Sequence, residues 1–255
     1  MMLKKVLLGI ALTGSLAFAQ DTVKIGIEGS YPPFSYMNPD KSLGGFEPDL
    51  AKLFCEQVEL KCEIVQVEFD ALIPSLNTKK IDAILASMSI TDQRKQAINF
   101  TQKYYQTPAK FVASKGEYTE VNADILKGKS IGVQSGTIHE TYANSEFAKY
   151  ADVRSYRNLD EAIFDLDSGR IDLVFADSVP LDDGYLRKGY DKTLEFVGGD
   201  YNDPTVFGDG IGVGLRKGDD ALMEKFNEAI LKSRADGSYK KVADQYFSID
   251  VYGAE

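Results

Sequence analysis

Three charged residues in this chain lie where a buried charge could be put to use, and each suits a different partner. Arg94 falls in the first turn of a helix that Thr91 would cap, with Asp92 beside it. A guanidinium held there presents a planar fork that matches a carboxylate. Asp177 follows an apolar strand and offers an acceptor for an ammonium. Glu28 follows another strand, ahead of Gly29, Ser30 and Tyr31, and offers a second acceptor. Polar residues follow two further strands, in Ala86-Ser87-Met88-Ser89 and in Gln134-Ser135-Gly136-Thr137. Thr137 and Glu140 form an S/T-x-x-E capping box, so a helix begins there with free N–H groups that favour an anion. A carboxylate site facing an ammonium site describes an α-amino acid. Tyr31 and Phe69 would stack on its aliphatic part or on a cation, and Glu28 would meet a positive charge at the far end of its side chain.

Each residue taken alone has an ordinary alternative. An arginine in a first helical turn is usually solvated, an aspartate after a strand usually caps a turn, and Tyr31 and Phe34 usually pack. Glu28 alone reads as a solvated loop acid, and His139, in a first helical turn, reads as exposed. What raises them together is that the elements carrying them occur twice. Asp70 to Ser87 (DALIPSLNTKKIDAILAS) aligns with Asp160 to Asp177 (DEAIFDLDSGRIDLVFAD) at a constant offset of 90 residues, with six identities in eighteen. The matched pairs are Asp70/Asp160, Ile73/Ile163, Leu76/Leu166, Ile81/Ile171, Asp82/Asp172 and Ala86/Ala176. Each stretch reads as a short amphipathic helix followed by an apolar strand. Upstream of each lies another apolar strand, VKIGI from Val23 and SIGV from Ser130, that enters a loop and then a helix. In the first copy that helix carries Leu50, Leu53, Phe54 and Val58 on one face.

Each half is therefore a β-loop-α-β-α-β unit, and the expected class is α/β. Two lobes are expected, each a small, mostly parallel sheet flanked by helices. Ligands of such sheets sit at the carboxyl ends of the strands, where Glu28, Ser87, Gln134 and Asp177 fall. After the second unit come a glycine-rich strand (Asp209 to Arg216), a helix from Asp220 to about Asp236, and a closing helix from Ser238 to Tyr246. These have no counterpart beyond the first unit unless the chain returns to the first lobe. The expected division is residues 20–108 with 205–255 for lobe 1, and residues 109–204 for lobe 2. Two crossovers, near Thr107 to Val112 and near Pro204 to Gly212, would then form a two-strand hinge that permits closure.

The N-terminus has the pattern of a cleaved export signal. Lys4 and Lys5 precede an apolar run from Val6 to Phe18, and Ala17-Phe18-Ala19 has the small-x-small cleavage pattern, which places 1–19 as a signal peptide. About 14 apolar positions are too few to span a ~30 Å bilayer core. The chain has 29 basic and 39 acidic residues. Without the two lysines of the signal, 27 face 39, a net charge of −12 that repels nucleic acid and anionic membranes. The two cysteines, Cys55 and Cys62, lie seven positions apart. In an exported protein a disulfide is the natural reading, with two free thiols as the alternative. A metal site would want four such ligands, and His139, the single histidine, does not complete one.

The chain resembles the periplasmic lysine/arginine/ornithine- and histidine-binding proteins of ABC import systems. The resemblance runs through the whole chain after the signal. It is carried by DALIPSL-NTKKIDAI, SMSITDQR, FGDGIGVGLRK, the ending RADGSYKKVADQYFSIDVYG, and the Cys-x6-Cys pair. It implies a type II periplasmic binding protein that captures a basic amino acid and delivers it to a membrane permease. Such a protein acts as a monomer, without a cofactor. The resemblance also implies that Arg94 holds the carboxylate with Ser89 and the backbone of Thr137. Asp177 holds the ammonium with Ser87 and Ser89 nearby, Tyr31 and Phe69 form the walls, and Glu28 takes the place of an aspartate that reads the cationic side chain. Ala86, Gln134 and His139 depart from the family's serine, leucine and glutamine, so they are candidate specificity positions. The rival reading is a periplasmic lyase on the same scaffold, similar to cyclohexadienyl dehydratases. It would need Glu28 or Asp177 as its acid or base.

Overall fold

A computed structural model describes residues 22–253, so the signal segment lies outside the described residues. Two five-stranded sheets dominate. The first contains β1 (Val23–Ile27), β2 (Cys62–Gln66), β3 (Ala83–Ile84) and β4 (Asn99–Tyr105). The second contains β5 (Ala109–Ser114), β6 (Ser130–Gln134), β7 (Asp152–Tyr156), β8 (Leu173–Asp177) and β9 (Leu194–Tyr201). The last strand, β10 (Ile211–Leu215), returns to the first sheet. The spatial orders are β2-β1-β3-β10-β4 and β7-β6-β8-β5-β9. In each sheet four strands point one way and a single strand, β10 or β5, runs against them. The reversed strand in each case belongs to a connection between the sheets. The chain makes those passages between Tyr105 and Ala109 and between Tyr201 and Ile211.

The repeat has a physical content. Gly26 of β1 faces Ile81, and a Cβ there would lie 2.5 Å from the Ile81 Cδ1. Gly132 of β6 faces Ile171 in the same way, again at 2.5 Å. Only a residue without a side chain lets the repeated isoleucine close over the strand. The repeated aspartates are equivalent too: Asp82 accepts from the Lys24 N–H at 3.0 Å, and Asp172 from the Ser130 N–H at 2.8 Å. Each ties the junction between helix and strand to the start of the neighbouring parallel strand.

Helices cover both faces of the first sheet. On one side α1 (Phe46–Gln57), α6 (Asp220–Ala235) and α7 (Ser238–Ala243) pack Phe46, Leu50, Phe54, Phe226 and Ile230 against Ile25, Ile27 and Val213. On the other, α2 (Leu72–Asn77) buries Leu72 and Leu76 against Ile84, and the end of α3 (Asp92–Ala97) brings Ile98 into the same cluster. The second sheet is flanked by α4 (Ile138–Glu146) and α5 (Leu159–Asp167). Cys55, inside α1, is disulfide-bonded to Cys62 at the start of β2. Among the described residues, no helix is long and apolar enough to cross a membrane.

Candidate functional site

Side-chain direction decides which residues reach the space between the lobes. After β3 the chain places Ser87 and Ser89 on the cleft side and Ala86 and Met88 on the other. Ala86 and Met88 are each 1% exposed and belong to the apolar cluster of Leu72, Leu76 and Ile84. They do not line the cleft. Alternation along extended chain is the cause, sharpened at Ser87, whose φ of 52° is in the left-handed region.

The cleft is lined by Glu28, Tyr31, Phe69, Ser87, Ser89 and Arg94 of the first sheet's surroundings, and by Gln134, Thr137, Ile138, His139 and Asp177 of the second's. All the other residues singled out by sequence are thus brought together. Ile138, which sequence reasoning passed over, supplies an apolar surface beside them. Glu28 stands just after β1, and Gln134 and Asp177 end β6 and β8. The carboxyl ends of the parallel strands therefore converge here, as the fold class requires.

Both helix caps form. The Thr91 hydroxyl accepts from the Arg94 N–H at 3.3 Å, and the Thr137 hydroxyl accepts from the Glu140 N–H at 3.1 Å. Glu140 returns its bond to the Gly136 N–H at 2.7 Å, one residue earlier than a strict capping box. Arg94 is half-buried, and its guanidinium spans the lobes. Nη1 donates to the Ser89 carbonyl at 3.1 Å and Nη2 to the Gly136 carbonyl at 3.0 Å, with Cζ 5.6 Å from the centre of the Phe69 ring. Burial pushes its pKa down to about 10, which leaves it charged at neutral pH.

The two acids opposite are more deeply buried. Asp177 accepts from the Tyr31 hydroxyl at 3.0 Å across the cleft and from the Thr107 hydroxyl at 3.2 Å. Loss of water nonetheless pushes its pKa up to about 7. Glu28, 3% exposed, accepts from the Gln134 amide at 2.5 Å, also across the cleft, and burial pushes it up to about 8. At about 1.4 kcal/mol per pKa unit, ionising either acid here costs several kcal/mol more than in water. A nearby cation would remove most of that cost. Among the described residues, no charged side chain of the protein forms an ion pair with either acid. His139 sits 3.8 Å from Asp177, but burial, reinforced by the Arg94 charge, holds its pKa down to about 3. It is neutral, so the contact is not an ion pair.

His139 is also not exposed. It is 5% accessible, with its ring edge-on to Phe175 at 5.5 Å, because the first turn of α4 faces the cleft rather than solvent. Thr107, which donates to Asp177, and Glu47, which lies behind the cleft, were not singled out by the sequence. Thr107 lies in the passage between the sheets, and Glu47 in the first turn of α1 reads as an ordinary helix-start acid.

The arrangement is one guanidinium, two carboxylates, two aromatic rings and two hydroxyl-bearing loops facing each other across two lobes. That is a binding geometry, and the comparisons with known proteins agree. A family model described as bacterial extracellular solute-binding proteins, family 3, matches residues 23–249. The L-arginine-binding protein of Pseudomonas aeruginosa is 47% identical over 256 residues, covering 96% of this chain and 98% of that protein. The lysine/arginine/ornithine-binding periplasmic protein of Escherichia coli K12 is 41% identical over 259 residues, covering 98% of this chain and all of that protein. Among solved structures, an ancestral arginine-binding protein bound to arginine superimposes with a TM-score of 0.82 at 32% identity, covering 89% of this chain and 98% of that one. These relatives are binding proteins, and the matches extend over most of the chain. The chain belongs to family 3 of the bacterial extracellular solute-binding proteins.

Proposed function

We propose that this protein captures a basic L-amino acid in the cleft and delivers it to an ABC import permease from the periplasm, as a monomer and without catalysing a reaction. The observation that carries the reading is the charge balance of the cleft. With both acids ionised, Arg94, Asp177 and Glu28 sum to −1, and arginine, lysine or ornithine in its usual form carries one carboxylate and two cations, a sum of +1. Each cleft charge then has one partner. A neutral amino acid offers Glu28 no cation, so the acid keeps its proton and gains no ion pair, and an acidic one would add a second anion.

In this reading Arg94 takes the α-carboxylate, helped by the Ser89 hydroxyl and the N-terminal backbone of α4 at Thr137. Asp177 takes the α-ammonium, with Ser87 and Ser89 as further acceptors. Tyr31 and Phe69 flank the aliphatic part, and Glu28 takes the distal cation. Gln134 and His139, which line the cleft, would tune the choice among cations; Ala86 is turned away from it. The lobe division is taken as 20–108 with 205–255 against 109–204. A ligand held by both lobes favours their closed arrangement through contacts it makes only there. Glu28 and Asp177, the candidate acid and base of a lyase, are assigned as counter-ions.

A thermal-shift screen with the twenty amino acids and ornithine tests the reading. Ligand at 100 times its Kd adds about 2.7 kcal/mol. For a chain of this size that is a rise of roughly 5–10 °C in Tm. Arginine, lysine, ornithine or histidine should give the largest rise. No rise with any amino acid would refute amino-acid capture, and a largest rise with glutamate or aspartate would refute the assignment of Glu28.

A further inference from the structure

Behind Ser87 lies a third acid, one that does not line the cleft. Glu47 is fully buried, 0% exposed, in the first turn of α1. Its Oε1 collects three hydrogen bonds: from the Ser87 N–H at 2.6 Å, the Ser87 hydroxyl at 3.0 Å and the Tyr104 hydroxyl at 2.6 Å. Its Oε2 is buried with no hydrogen-bond partner. A carboxylate in such a place is costly, and burial pushes its pKa up to about 7, with Asp177 among the groups raising it. A neutral core residue would be more stable there, so the acid is better understood by what it does to Ser87.

It does two things. The bond to the Ser87 N–H holds that residue at φ 52°, a conformation that L-residues other than glycine, asparagine and aspartate seldom adopt. That conformation turns Ser87 towards the cleft while Ala86 and Met88 turn into the core. The second bond fixes polarity. A hydroxyl has one proton and two lone pairs, and here the proton is committed to Glu47. The lone pairs are all that Ser87 can offer the cleft, which makes it an acceptor suited to an ammonium and unable to donate to a carboxylate.

We infer that Glu47 is a positioning residue for the α-ammonium of the bound amino acid, acting through Ser87, which it orients and converts into an obligate acceptor. The inference rests on the amino-acid reading above and adds a residue outside the cleft to it. Charge supports it: an ammonium at Ser87 would lie between Asp177 in front and Glu47 behind, and it would lower the cost of ionising both acids, which otherwise raise each other's.

The test is a calorimetric titration of wild type, Glu47→Gln, Ser87→Gly and the double variant. Two probes are used: L-arginine, and 5-guanidinopentanoate, which is arginine without its α-ammonium, titrated into the millimolar range. Glycine at position 87 accepts a positive φ and removes the hydroxyl. Wild type that fails to bind arginine would overturn the basic-amino-acid reading on which the inference rests. With wild type binding, Glu47→Gln should weaken arginine roughly 10- to 100-fold and the deaminated analogue less than threefold. Ser87→Gly should lose the same preference, and the double variant should be no more than threefold worse than the weaker single variant. Equal losses on both probes, wild-type affinity in Glu47→Gln, or losses that multiply in the double variant would overturn the inference. If Glu47→Gln fails to fold, Ser87→Gly decides alone: an unchanged ratio of the two affinities would overturn it.

Discussion

At the scale of single residues, the weights of the three cleft charges differ. Arg94 has lost much of its water and holds only backbone carbonyls. Removing it would leave a ligand carboxylate in a closed cleft without a counter-charge, at on the order of 3–5 kcal/mol. Arg94→Met should therefore weaken arginine at least 10²- to 10³-fold while circular dichroism and Tm stay near wild type. A change under threefold by calorimetry would remove Arg94 from the site. Glu28 is proposed as the discriminating charge, because Arg94 and Asp177 would engage groups common to every amino acid. Glu28→Gln should weaken arginine and lysine far more than glutamine; an equal loss across all three would mean that Glu28 supports the fold instead. Its stability signature has a definite sign. Burial raises the folded pKa of Glu28 from 4.5 to about 8. The stability linked to its proton is full below about pH 4.5 and is lost as pH rises through about 8. Glutamine carries no such proton, so the Tm of Glu28→Gln should gain on wild type between pH 6 and pH 9 without added amino acid. A constant difference would contradict the burial of this charge. Arginine binding should have the complementary sign: its Kd rises on acidification from pH 8.5 to 6, with proton release near pH 6.5. These residues were legible because each directly follows a strand or opens a helix. Glu47 and the burial of His139 were not, since both depend on which way a first helical turn faces, and a single turn has too little periodicity to show that.

At the scale of elements, the caps and the repeat account for most of the site's geometry. Thr91 and Thr137 end their loops where the sequence places them, so the backbone around Arg94 and Gly136 is fixed before any ligand contact. The strands were equally legible from the two VKIGI-like segments. The Ala86–Met88 stretch was not, because the left-handed turn at Ser87 leaves no mark in its residue type. The disulfide works on a different part of the first lobe. Cys62 begins β2, an edge strand, whereas the cleft lies at the other ends of the parallel strands. Closing a loop this short is worth about 2–3 kcal/mol in the chain-entropy model, or roughly 5–10 °C in Tm. Reduction should lower Tm by that order and leave the Kd for arginine within about threefold. A loss of affinity beyond tenfold in protein still folded would show that the bridge shapes the cleft.

At the scale of the whole molecule, two sheets of similar build are joined by two passages, and among the described residues three hydrogen bonds cross the cleft away from those passages: Tyr31 to Asp177, Gln134 to Glu28 and Arg94 to Gly136. All three involve groups assigned to the ligand. A bound amino acid would exchange these direct bonds for bonds through itself, which couples occupancy to the relative placement of the lobes. The internal repeat made the two-lobed plan readable, since six identities at one offset locate both units. The return of the last strand to the first sheet was readable only from what the final helices lacked. The pairing of charges across the cleft required the lobes to be brought together. The most direct measurement is a calorimetric titration of the mature protein at pH 8 with arginine and, separately, glutamine, which are similar in the groups that Arg94 and Asp177 would hold and differ in the distal charge. A cleft of net charge −1 should bind one arginine per chain at least 100-fold more tightly than glutamine, about 2.7 kcal/mol in favour of the cation. Equal affinities, or glutamine the tighter, would contradict it.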